Sequence, residues 1–146
     1  MQGLKILLAE DNRDHRELLL LALTVGAPSI TVTTASNRDE VLSAASQGTF
    51  DCVILDFNLP PHSAPEIIED LTGLIPDVPV IVVSSSEMQS VVIESMRTGV
   101  TDFVPKFTAI KGETLRNRVR AAVAQAESAR EERRARNRRL VELRHE

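Results

Sequence analysis

The sequence predicts an α/β fold: five parallel strands in one doubly wound sheet, helices on both faces, and an extended helix at the C-terminal end. Three observations predict it. Five short β-type runs alternate with five helix-type segments, and such alternation with short connections requires parallel strands whose crossovers cover both faces. The runs at 52–56 and 80–84 are almost continuously apolar and rich in Val and Ile, as strands buried on both faces are. From Thr114 onward there is no Pro or Gly, so nothing interrupts a helix of about 33 residues. A helix that only closes a domain needs about 10 to 15.

In chain order, the β-type runs lie at 5–9, 30–34, 52–56, 80–84 and 102–104. Helical spacing is marked by Leu18, Leu19, Ala22 and Val25, then by Val41, Leu42 and Ala45. Ile67, Ile68, Leu71 and Leu74 mark the third segment, and Val91, Val92, Ser95 and Met96 the fourth. Ser36 with Asp39, Ser63 with Glu66, and Ser86 with Gln89 resemble capping boxes. Gly48 and Gly99 stand where helices stop, while Pro28, Pro60, Pro76 and Pro79 fall in connections, where a missing N–H does no harm.

Composition narrows the function classes. A chain of 146 residues, 42% apolar and 26% charged, has material for one sizeable core. Its longest apolar runs are strand-sized, far short of the roughly 20 residues of a membrane span. No leader-like segment precedes the first strand, so the expected location is the cytoplasm. The single cysteine, Cys52, excludes an internal disulfide and reads as a buried, inert thiol. Residues 1–110 carry a net charge of −9 and residues 111–146 a net +5: an acidic body and a basic tail. Without Tyr or Trp there is no stacking platform for single-stranded nucleic acid, and the three histidines show no zinc-type spacing. His15 is expected on the solvent side of the first helix and His62 in a solvated loop.

In parallel sheets of this kind ligands bind beyond the carboxyl ends of the strands. The first strand ends in Glu10 and Asp11, the third in Asp56 and the fourth in Ser84, and the fifth is followed by Lys106. Each has a plainer reading alone: helix cap, loop starter, turn serine, surface lysine. Together, three carboxylates, a hydroxyl and an ammonium converge on one edge. Clustered carboxylates repel and favour a hard cation such as Mg²⁺, which takes oxygen ligands and keeps several waters. Lys106 and Ser84 would face the other oxygens of a phosphoryl group, a set suited to in-line displacement at phosphorus.

These residues resemble those of response-regulator receiver domains, over residues 4 to about 125. The matching pieces are Ile6-Leu7-Leu8-Ala9-Glu10-Asp11-Asn12, Val53-Ile54-Leu55-Asp56-Phe57-Asn58-Leu59-Pro60, Pro79-Val80-Ile81-Val82-Val83-Ser84 and Gly99-Val100-Thr101-Asp102-Phe103-Val104-Pro105-Lys106. The resemblance implies a flavodoxin-like sheet of order 2-1-3-4-5. It implies that Asp56 accepts a phosphoryl group from a sensor histidine kinase, a phosphotransfer protein or a small phosphodonor. Asp11, Asp56 and the Asn58 carbonyl would ligate Mg²⁺, with Mn²⁺ able to substitute, and Glu10 would act through metal-bound water. Ser84 and Phe103 would carry the switch to the face made by the fourth helix, the fifth strand and the fifth helix. Such a domain catalyses only its own phosphorylation and dephosphorylation. Three departures stand out: Glu10 for the commoner Asp, Phe103 for Tyr, and Phe107 where the family usually has Pro.

An aspartyl-phosphate hydrolase also uses a strand-end Asp, but wants a second acid two residues on, where this chain has Asn58. A degenerate receiver serving only as an interaction scaffold would not need all five site residues. The expected organisation is a receiver over 1–125 and a helical extension over 126–146. Positions 115, 119, 122, 126, 129, 133, 136, 140 and 143 form a thin heptad, interrupted by Arg133 and Arg136. It suggests a linker helix that pairs in a homodimer and leads to an output domain. No DNA-reading element accompanies its arginines, so nucleic acid is not the expected partner.

Overall fold

The computed structural model describes residues 3–85 and 99–144. The fourth helical segment, marked by Val91, Val92, Ser95 and Met96, and the Ser86–Gln89 cap lie outside the described residues. Five parallel strands form the main sheet: β1 (Leu4–Ala9), β2 (Ile30–Ala35), β3 (Cys52–Asp56), β4 (Val80–Ser84) and β5 (Asp102–Pro105). Their order is β2-β1-β3-β4-β5, the expected 2-1-3-4-5. The central strands are buried along nearly their whole length, which is why they are apolar without alternation. β2, at an edge, exposes Thr31, Thr33 and Thr34.

Helices α1 (Arg13–Thr24), α2 (Arg38–Gln47), α3 (Ala64–Leu74), α4 (Lys106–Ala109) and α5 (Thr114–Arg144) accompany the strands. Two apolar clusters sandwich the sheet. One packs Leu19 and Leu23 of α1 and Leu115, Val119 and Ala122 of α5 against Ile6, Leu8, Ile54 and Ile81. The other packs Val41 of α2 and Ile67, Ile68 and Leu71 of α3 against Leu7, Val53, Leu55 and Val82. Cys52 is fully buried, and burial pushes its thiol up to about 12, as an inert core residue requires.

Several local features depart from expectation. The cap of α2 sits one residue later than the Ser36 reading: Asn37 Oδ1 accepts from the Glu40 N–H at 2.9 Å. Glu40 reaches back instead to Ser36, accepting from its N–H at 2.7 Å and its hydroxyl at 2.8 Å. Ser63 does precede α3, but its side chain makes no capping bond, and the Glu66 side chain, which a capping box would turn back to Ser63, contacts His62 Nδ1 at 3.1 Å instead. The loop after β3 contains an unforeseen antiparallel hairpin, Asn58–Leu59 with His62–Ser63, across a cis Pro60–Pro61 bond. Among the described residues, no helix is long and apolar enough to cross a membrane.

Candidate functional site

Strand register assembles one constellation at the carboxyl edge. Ala9 lies beside Leu55, so Glu10 and Asp56 emerge as neighbours; Asp56 lies beside Val83, and Ser84 beside Pro105. Residues remote in sequence thus reach one place because each ends its strand, as Asp56 and Ser84 do, or follows it within two residues, as Glu10, Asp11 and Lys106 do. α1 opens just beyond Asp11, where Asn12 caps it by accepting from the His15 N–H at 2.9 Å. The cap falls on Asn12, which leaves Glu10 and Asp11 for other work. Arg16 fixes the bend by donating to the Glu10 carbonyl at 3.0 Å.

Glu10 is fully buried, Asp56 is 4% exposed and Lys106 8% exposed, whereas Asp11 faces solvent. One oxygen from each of Glu10, Asp11 and Asp56 lies within 4.8 Å of the others. Lys106 Nζ stands 2.6 Å from Glu10 Oε1 and donates to Asp56 Oδ2 at 3.2 Å. The other Asp56 oxygen, Oδ1, accepts from the Asn58 N–H at 3.2 Å. Glu10 Oε1 is fully buried, and the close contact to it is the ion pair with Lys106.

Burial raises the Glu10 carboxyl above its ordinary range, and the Asp56 carboxylate adds to this while Lys106 opposes it. For Lys106, burial acts to lower the ammonium, but Glu10 and Asp56 outweigh it and hold the group protonated. One ammonium therefore faces three carboxylates, too little positive charge to balance them. Three carboxylates sharing one ammonium, with no Cys or His among the donors, suit a hard divalent cation.

Lys106 reaches the carboxylates even though Phe107 replaces the usual Pro. Lys106 opens α4, and Phe107 turns outward, 64% exposed, with Lys111 Nζ 3.7 Å from its ring centroid. Ser84 is buried at the end of β4. Phe103 is set apart: half-buried, opposite Val82 and packed on the α2–α3 cluster. His15 is misplaced by the sequence reading. Its Nδ1 lies 3.2 Å from Lys106 Nζ and 3.6 Å from Glu10 Oε1, not on a purely solvated face. The available signal was its place in the first turn of a helix that starts at the site.

Residues 6–120 match the family described as response regulator receiver domain. The glycerol metabolism activator of Pseudomonas putida is 30% identical over 103 residues, covering 70% of this chain and 47% of that protein. The chain spans about half the length of the first curated relatives it matches, 42% to 51% of them. Among solved structures, NtrX from Brucella abortus superposes with a TM-score of 0.80 at 23% identity, over 89% of this chain and 29% of that one. A response regulator protein from Burkholderia pseudomallei, with a phosphorylated aspartic acid, calcium ion and citrate, gives 0.68 at 21% identity over 92% and 75%. At these identities the structural likeness establishes the fold.

Proposed function

Because this chain belongs to the response-regulator receiver domain family, we propose that it is a phospho-accepting switch whose acceptor is Asp56. The observation that carries this is the Asp56 carboxylate itself, nearly buried at the carboxyl edge, 3.2 Å from the Lys106 ammonium and within the Glu10–Asp11 cluster. An Asp56 oxygen attacks phosphorus, a P–N bond of a phosphohistidine or a P–O bond of an acyl phosphate breaks, and the electron pair leaves with the donor. Asp11, Asp56 and the Asn58 carbonyl would hold Mg²⁺ or Mn²⁺, and Glu10 would reach it through water. That cation would neutralise charge on the phosphoryl oxygens. Lys106 balances the charge of one phosphoryl oxygen and Ser84 donates to another. Hydrolysis returns the carboxylate and inorganic phosphate.

The donor would be a histidine kinase or a phosphotransfer protein. The Burkholderia pseudomallei response regulator, whose structure contains a phosphorylated aspartic acid and a calcium ion, supports this reading. The switch would pass through Ser84 and Phe103 to the face around β5 and α5. We place the receiver at 1–125 and a linker helix at 126–146 that pairs in a homodimer and leads to an output domain. Relatives whose matched part makes up only 47% and 51% of their length support the last point. Beryllofluoride, a phosphoryl mimic, tests the reading: with Mg²⁺, fluorine NMR should show bound signals in wild type and none in Asp56→Asn. Equal signals in both would remove Asp56 from the role.

A further inference from the structure

The Lys106 ammonium has three N–H donors and no acceptor, so its surroundings decide where it points. Among the described residues, three groups contact it. Glu10 Oε1 forms an ion pair at 2.6 Å, Asp56 Oδ2 accepts at 3.2 Å, and His15 Nδ1 lies at 3.2 Å. Because lysine only donates, the contact with Nδ1 requires its lone pair, which places the imidazole proton on Nε2. The ring is not deeply buried, with 43% of its side chain exposed, so water is at hand for that N–H.

The three partners differ in what the reaction does to them. Asp56 becomes the phosphorylated group, and its bond to Lys106 must pass to a phosphoryl oxygen. Glu10 belongs to the carboxylate cluster that the cation would claim. His15 takes part in neither change and approaches from α1, outside the sheet. On the reading of Asp56 as the acceptor, we infer that His15 is a positioning residue for phosphoryl transfer. Its Nδ1 holds the ammonium over Asp56 while the other partners are reassigned. Without it, the remaining partners of Lys106 among the described residues are Glu10 and Asp56, and the ammonium is drawn onto the cluster, away from the incoming phosphoryl oxygen.

The test measures the rate of adduct formation from acetyl phosphate at saturating Mg²⁺, with circular dichroism to confirm folding. His15→Leu should react about fivefold more slowly, the order expected for one hydrogen bond to a charged group at a half-exposed site. His15→Asn, which restores an acceptor near the Nδ1 position, should recover to within about twofold of wild type. In a Lys106→Met background, His15→Leu should change nothing further, because the partner it positions is gone. The rise in Tm on adding Mg²⁺ should be the same in wild type and His15→Leu, since the imidazole is not among the oxygen donors. Equal rates for wild type and His15→Leu would overturn the inference, as would the same slowing in the Lys106→Met background. A folded wild type that forms no adduct and also fails to bind beryllofluoride would overturn the acceptor reading and this inference with it; a normal adduct indifferent to His15 would remove this one alone.

Discussion

One stripe of heptad positions runs the length of α5, yet its two halves live in different surroundings. Leu115, Val119 and Ala122 are sealed against the sheet, while Leu140 and Leu143 stand more than half exposed. Burial along the helix ends at Val123, and beyond it Arg133 bonds Asp77 at 2.7 Å across the opposite edge of the domain from the site. The first three heptad positions are therefore ordinary core positions. Only six remain for any pairing between helices, and two of those are Arg133 and Arg136. A periodic pattern reports a buried face but does not say what buries it.

Mutation sharpens this contrast most where the core is involved. Leu115→Ala should lower the unfolding free energy by about 3 kcal/mol in urea, from lost burial and the cavity left behind. Leu140→Ala, the same change in the exposed half, should stay within about 0.5 kcal/mol. A comparable loss from Leu140→Ala would mean that a partner covers the extension in solution, and it would then depend on protein concentration.

The site sets a different contrast, between a core selected for stability and an edge selected for charge. With a chelator present, Asp56→Asn should stabilise the protein by about 1 kcal/mol near neutral pH, because it removes one of several clustered carboxylates. The pH dependence has a definite sign. The folded Glu10 carboxyl lies above its ordinary 4.5, so its contribution is fully present below that value and is lost as pH rises through the raised one. Asp56 is the second cause of the rise, after burial, so urea unfolding of metal-free Asp56→Asn should show a flatter decline over that window. Arg133→Ala should have the smallest effect, at most about 0.5 kcal/mol, since both partners are half exposed and salt screens them.

The central strands and the residues at their ends were legible because burial on both faces writes an uninterrupted apolar run, and each run stops where chemistry begins. Glu10, Asp11, Asp56 and Lys106 could be gathered on one edge by counting strands alone. His15 could not be found that way: its contact with Lys106 spans 91 residues and depends on how α1 docks, which no local pattern encodes. The Asn37 cap was missed because Ser36 and Asn37 are both good capping residues, and only the Glu40 side chain, turned back to Ser36, separates them. The Asn58–Ser63 hairpin has two residues per strand, too short for any alternation to show.

The central claim is that Asp56 accepts a phosphoryl group with help from a divalent cation. Intact mass after incubation with acetyl phosphate and Mg²⁺ tests it most directly, alongside Asp56→Asn and a chelated control. The account predicts one added phosphoryl group in wild type and none in either control. An adduct that persists in Asp56→Asn, or no adduct in a folded wild type that also fails to bind beryllofluoride, would contradict it.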